Sequence, residues 1–218
     1  MGSDRRSKIH YPLLMSDYLP CTEEAMDYLS KADPELGRII EQIGPIKRPA
    51  DPDLFSSVVR HIIGQQISIA AQATIWQRMG EAFDSLTPAV VQASTVDELQ
   101  SFGMTFRKAE YIHNIAIKIE EGSLDLERLQ TLEDDEVTKE LVKLKGIGPW
   151  TAEMILLFGL KRPDVLSYGD LAILRGIRIL YNLESIDRPT FEMYRRRYSP
   201  YGTTASLYLW AVSKTKAL

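Results

Sequence analysis

A single cysteine, Cys21, leaves this chain without an internal disulfide and without the ligands of a four-cysteine iron–sulfur cluster. Histidine is almost as scarce. His10, His61 and His113 are scattered singly, which predicts surface or packed-polar roles for each and no structural zinc site. No apolar run reaches the length of a membrane span, and glycine-rich or serine-rich linkers are absent. The start, Met1-Gly-Ser-Asp-Arg-Arg6, has no apolar stretch behind its arginines and no Ser or Thr at position 6, so neither export nor myristoylation is expected. The expectation is a flexible tail over residues 1–8, one domain over 9–218, no membrane association, and a cytoplasmic address that would be nucleoid-associated or nuclear by organism.

Sustained apolar/polar alternation is also missing, which excludes an extensive sheet and predicts an all-α chain. Helical spacing places elements near 22–32, 34–43, 52–64, 67–82, 87–92, 95–102, 106–121, 124–130, 134–144, 149–160, 170–182, 189–197 and 200–215. Thr22-Glu-Glu, Asp51-Pro-Asp and Thr95-Val-Asp-Glu supply capping starts with acids in the first turn.

A net charge of −4 argues against a polyanionic partner only until it is divided along the chain. Residues 1–140 carry 14 basic and 24 acidic side chains, whereas 141–218 carry 12 basic and 6 acidic. The positive half begins at Lys143 and Lys145, continues through Lys161, Arg162, Arg175 and Arg178, and includes Arg195-Arg-Arg197. A local positive face attracts a phosphate backbone whatever the distant surface carries, although the triple arginine also reads as a solvated helix face.

The richest segment is Leu144-Lys-Gly-Ile-Gly-Pro-Trp-Thr-Ala152. Upstream, Val137, Leu141 and Leu144 fall at helical spacing behind acids that suit a helix N-terminus. Downstream, Pro149 sits where a first helical residue would, and Ala152, Ile155 and Leu156 continue a mostly apolar helix. The pattern is helix, hairpin, helix. Gly146 and Gly148 permit positive φ and close approach, and free N–H groups at the second helix start favour an anion; a hairpin that binds nothing has the same spacing. Gly103-Met-Thr-Phe-Arg-Lys-Ala109 repeats the register of Gly146 to Ala152 with Thr105 for the second glycine, either as a second hairpin or by coincidence. Gly-Ile-Gly follows a helix rather than a strand, so no dinucleotide site is expected.

Four motifs in order, His61-Ile-Ile-Gly-Gln-Gln-Ile-Ser68, Gly146-Ile-Gly-Pro-Trp-Thr-Ala152, Arg162-Pro-Asp-Val-Leu-Ser-Tyr-Gly-Asp-Leu-Ala-Ile-Leu-Arg-Gly176 and Ser199-Pro-Tyr-Gly-Thr-Thr-Ala-Ser-Leu-Tyr-Leu-Trp210, resemble the helix-hairpin-helix (HhH-GPD) DNA glycosylases. The alkylbase branch, that of 3-methyladenine DNA glycosylase II and its shorter relatives, is the most similar. The resemblance implies a two-lobed all-α fold with DNA across a central cleft, a middle lobe of about residues 58–165, a hairpin over 134–160, and no N-terminal sheet domain. It also implies a monomer acting on double-stranded DNA with alkylated bases.

Asp170 then becomes the catalytic acid, although a helix N-cap is the ordinary role of such an Asp; Asp164 is a competitor that reads better as a turn cap. A carboxylate beside the sugar stabilises oxocarbenium character and can orient or deprotonate water. Relatives that cleave the strand through a Schiff base carry Lys where this chain has Trp150, so a monofunctional hydrolase leaving an abasic site is implied. Trp150 and Trp210 are candidate pocket walls for a cationic purine, with core packing as the alternative, and Met154 stands where the bacterial relative has Tyr. Gln66 matches the duplex wedge; the alternative is a plain turn with Gln65 bonded to backbone. Phosphate contacts are implied for Gly146, Gly148, Trp150, Thr151, Lys143 and Lys145. No cofactor is required, but carbonyls of Val142, Leu144 and Ile147 match those that hold Na+ or K+ in relatives. The alternatives left open are a glycosylase for deaminated or etheno purines and a non-catalytic lesion-binding protein.

Overall fold

The computed structural model describes residues 17–215, so the expected tail and His10 lie outside the described residues. Thirteen helices occur among the described residues: α1 Glu23–Ala32, α2 Pro34–Ile43, α3 Leu54–Gly64, α4 Ile69–Ala82, α5 Pro88–Ala93, α6 Val96–Ser101, α7 Phe106–Glu120, α8 Leu126–Thr131, α9 Asp134–Leu141, α10 Pro149–Phe158, α11 Leu171–Leu180, α12 Arg188–Tyr198 and α13 Gly202–Ser213. An isolated bridge between Tyr18 and Pro49 is the extended pairing found there. None of these helices is long and apolar enough to cross a membrane.

Side-chain caps set most boundaries. Thr22 accepts from the Ala25 N–H at the start of α1, and Thr95 and Glu98 form a reciprocal capping box on α6. At α3 the capping acid is Asp53, which accepts from the Ser56 N–H at 2.8 Å; the helix therefore starts at Leu54 rather than 52, and Asp51 stays outside it. The expected helix over 134–144 stops at Leu141, because Val142 to Gly146 form the hairpin turn and Gly146 adopts φ 91°.

The buried apolar residues form two clusters. One is built mainly from α3 to α10, with Val59, Ile62, Ala109, Ile112, Leu141, Ile155 and Leu157 at its centre. The other unites both ends of the described chain: Leu29, Leu36, Ile173, Ile177, Tyr198, Tyr208 and Leu209. Helix α13 serves both, with Leu207 in the first, Leu209 in the second and Trp210 packed against each. The cleft lies along this seam.

Asp33 ties the ends together. Its Oδ1 caps α2 through the Glu35 and Leu36 N–H groups, while Oδ2 accepts from Arg197 Nη1 at 2.7 Å and Tyr181 Oη at 2.6 Å. Arg197 is thus withdrawn from the arginine cluster expected on the positive face. Arg162 is withdrawn likewise, donating to the Gln130 and Leu132 carbonyls and pairing with Asp134 at 3.3 Å. Asp164 acts at long range rather than in a local turn, accepting from Ser199 Oγ at 2.6 Å and the Gly202 N–H at 3.0 Å.

Helices α11 and α13 cross where Gly176 has no side chain; a Cβ there would stand 2.3 Å from the Leu209 carbonyl oxygen. Backbone cannot yield as a flexible side chain can. Gly176→Ala should therefore destabilise the protein by about 1–3 kcal/mol, whereas Gly80→Ala in α4, which meets nothing within 4 Å, should stabilise it by up to about 1 kcal/mol. Thermal unfolding of the two variants checks the opposite signs.

Candidate active site

Asp170 is the N-cap of α11, so the ordinary role is real: its Oδ1 accepts from the Ala172 N–H at 2.9 Å and the Ile173 N–H at 3.1 Å. The second oxygen has a different neighbour. Trp150 Nε1–H donates to Oδ2 at 3.3 Å, and the carboxylate, 7% exposed, forms part of the wall of a cavity of about 500 Å³. That volume lies in the range of small-molecule sites.

The same cavity is lined by Trp150, Met154, Phe158 and Trp210, so the four expected site residues Asp170, Trp150, Met154 and Trp210, drawn from three stretches of the chain, lie together. Phe158 is an addition. Trp150, Met154 and Phe158 are spaced i, i+4, i+8 on α10 and share one face, a stripe legible in the sequence once this helix is known to border a cleft. Trp210 stacks on Phe158 with centroids 5.9 Å apart and planes at 11°, so it packs and lines the cavity at once. The segment before α3 and α3 itself add Arg48, Asp51, Arg60 and His61 to the wall, and Ile67, Ile69 and Gln72 from the following loop and α4 complete it. Arg48 lies over the Phe158 ring at 5.6 Å.

The hairpin is formed as its spacing predicts, but its two glycines differ. Gly146 needs positive φ, and a Cβ there would stand 2.3 Å from Tyr111 Cδ2. Gly148 does not: its φ is −93°, open to any residue, and a Cβ would meet nothing within 4 Å. The bare space at Gly148 faces outward, at the N-cap of a helix whose first turn no side chain caps. The Trp150 and Thr151 N–H groups at that turn suit an anion. Thr151 offers only its backbone for this, since its hydroxyl is buried and accepts from Gln65 Nε2 at 3.3 Å.

The earlier echo is a second hairpin, α6–α7. Gly103 has φ 111° where Gly146 has 91°, and Thr105 caps α7 where Gly148 precedes α10. Lys108 in this echo is a residue that motif reasoning passed over: its ammonium donates to the Ile63 and Gln65 carbonyls at 2.8 and 2.6 Å, and burial draws its pKa down. Gln65 in turn donates to the Gly146 carbonyl at 2.7 Å. The loop carrying Gln66 is therefore pinned to both hairpins. Gln65 has the structural role weighed for it, while Gln66 is exposed at φ 56°, a conformation that surroundings must impose on a non-glycine residue.

Lys143 and Lys145 are exposed beside the hairpin, with Lys143 paired to Glu140 at 2.8 Å. The Leu144 carbonyl accepts from the Ile147 N–H at 3.1 Å, which occupies one of its two lone pairs. With Val142 and Ile147 it offers neutral oxygen donors that fit an alkali cation. Among the described residues no group of three or more His, Cys, Asp or Glu could hold a metal.

Fold and site together define a class: an all-α protein with a hairpin whose free N–H groups suit an anion, beside an aromatic cavity whose wall includes two buried carboxylates, Asp170 and Asp51. Residues 59–199 match the HhH-GPD superfamily of base excision DNA repair proteins, and the chain belongs to that family. It is 30% identical over 198 residues to DNA-3-methyladenine glycosylase 1 of Schizosaccharomyces pombe, covering 86% of each chain. Among solved structures it is similar to the DNA-3-methyladenine glycosidase of Bacillus halodurans (TM-score 0.79, 33% identity, 92% of this chain and 94% of that one). It is also similar to the S. pombe 3-methyladenine DNA glycosylase in complex with abasic DNA (TM-score 0.77, 28% identity, 89% and 98%).

The two glycines separate grip from folding. Gly148→Ala should leave thermal stability within about 1 kcal/mol of the original protein, because its backbone angles suit alanine, yet weaken binding to duplex DNA. Gly146→Ala should lower stability by about 1–3 kcal/mol. Unfolding curves read beside DNA titrations at fixed salt check both.

Proposed function

We propose that the protein is a monofunctional base-excision enzyme that hydrolyses the N-glycosidic bond of alkylated purines, 3-methyladenine and 7-methylguanine, in double-stranded DNA. The observation that carries this reading is the Asp170 carboxylate, fixed by a helix cap on one oxygen and directed by the other toward Trp150 and an aromatic cavity of purine-accommodating size.

To reach the bond, the nucleotide must rotate out of the duplex at a cost of a few kcal/mol. The hairpin N–H groups and Lys143 and Lys145 hold the backbone, and Gln66 fills the gap, its amide able to hydrogen-bond the orphaned opposite base. A monovalent cation on the Val142, Leu144 and Ile147 carbonyls would add positive charge beside the same phosphate. In the cavity the π face of Trp150, 40% exposed, attracts a cationic purine, worth roughly 0.5–2 kcal/mol.

The C1′–N bond then breaks, its electron pair leaves with the base and neutralises the base's positive charge, and the sugar becomes oxocarbenium-like. Asp170 stabilises that charge and orients a water whose oxygen bonds to C1′, taking up the proton released. Trp150 has no amine with which to form a Schiff base, so the product is an abasic site with the strand intact.

Asp170→Asn keeps a competent N-cap, because Asn Oδ1 can accept the same two N–H groups. Release of 3-methyladenine from methylated duplex DNA should fall by about 10²–10³ or more while DNA affinity measured in parallel persists. Binding without release by the unmodified protein would point instead to a non-catalytic lesion sensor or to another base.

A further inference from the structure

We infer that His61 reads the edge of the flipped base, its Nε2 accepting an N–H from the exocyclic amino group of an adenine-derived lesion, with Asp51 as the positioning residue behind it. This rests on the base-excision reading above and specifies what that cavity selects.

The tautomer follows from geometry. His61 Nδ1 lies 2.8 Å from the Ser57 carbonyl oxygen, which can only accept, so Nδ1 carries the proton. Burial, helped by the Arg60 charge, holds the ring below its ordinary pKa and so favours its neutral form, against the opposing pull of Asp51 and the Ser57 carbonyl. Nε2 is then a lone-pair acceptor, and His61 is part of the cavity wall.

Asp51 accounts for the ring's orientation. The carboxylate is 3% exposed; Oδ1 is taken by Arg60 Nη1 at 2.9 Å, while Oδ2, buried and without a hydrogen-bond partner, stands 3.7 Å from His61 Nδ1. An acid on the Nδ1 side favours the proton there and so the acceptor at Nε2. The Asp51 N–H donates to the Phe158 carbonyl at 3.0 Å, and the His61 and Phe158 rings lie 5.4 Å apart, so acid, imidazole and cavity wall form one unit.

Placement along α10 aims this unit at the base. Trp150 touches Asp170 at the helix start, and Phe158 lies two turns further on, about 12 Å along the axis. With the sugar against Asp170, a base lying over the Trp150, Met154 and Phe158 stripe turns its far edge toward His61. At C6 of that edge 3-methyladenine carries an amino donor; 7-methylguanine carries a carbonyl there, which an acceptor repels, and its N1–H and C2 amino donors lie displaced from C6 along the edge.

Methylated duplex DNA containing both lesions gives the test in one reaction, as the ratio of the rate constants for 3-methyladenine and 7-methylguanine release. His61→Phe, which keeps a flat ring but removes the acceptor, should lower that ratio about tenfold, the worth of one hydrogen bond. His61→Gln, whose Oε1 can replace Nε2, should restore it in part, and Asp51→Asn should shift it in the same direction as His61→Phe by less. A fall of both rates together at constant ratio would show a packing role and overturn the inference while leaving the glycosylase reading intact. A ratio unchanged in Asp51→Asn alone would remove Asp51 from it. Failure of the unmodified protein to release either base would overturn the alkylpurine reading and this inference with it.

Discussion

The arrangement depends on a carboxylate divided between a helix cap and a cavity. Asp170 satisfies the first turn of α11 with one oxygen and meets Trp150 and the cavity with the other. Asp33 offers an internal comparison, since it caps α2 in the same way through Oδ1. Its Oδ2, however, is consumed by Arg197 and Tyr181. A carboxylate whose second oxygen meets an arginine and a tyrosine binds the two ends of the chain together. One whose second oxygen meets an indole at a cavity wall remains able to act on something that enters. The cap is common to both, and the partner of the second oxygen distinguishes structure from chemistry.

Helix α10 joins the remaining parts of the site. Its uncapped N-terminus lies beside Gly148 and faces outward; its Trp150, Met154 and Phe158 stripe lines the cavity; its Ala152, Ile155 and Leu157 are buried in the first apolar cluster. Through the Gly146 carbonyl the hairpin is bonded to Gln65, and through Gln65 and Ile63 the same loop is bonded to Lys108. The hairpin, Gln66 and the cavity wall are therefore fixed relative to one another. The proposed extraction of a nucleotide from a duplex would benefit from such fixed geometry, because small displacements of positioned groups cost rate.

Charge follows the same economy. Acids outnumber bases before residue 141 and bases outnumber acids after it, but not every base faces outward. Arg162 satisfies the carbonyls that end α8, and Arg197 neutralises a buried acid; both sit in the positive half and neither is free to meet a phosphate. Lys143 and Lys145 border the hairpin and stay exposed, which fits them for backbone contacts.

The sequence by itself determined the helices and the hairpin, because helical periodicity, caps at Thr22 and Thr95, Pro149 at a first helical position and positive φ at Gly146 are local constraints within a few residues of each other. The ordered motifs and the resemblance they carry single out Asp170, Trp150, Met154 and Trp210 without showing that these residues meet. Tertiary structure decided what those residues meet. It gave Gly148 an ordinary backbone conformation and an open exterior, turned Arg162 and Arg197 inward, and made Phe158 a cavity wall. It also held Asp51 outside α3 at the Phe158 carbonyl, where its carboxylate meets His61 from the far end of that helix. Local propensity cannot express these outcomes, since each depends on which groups from distant segments desolvate one another when the two apolar clusters close around the cleft.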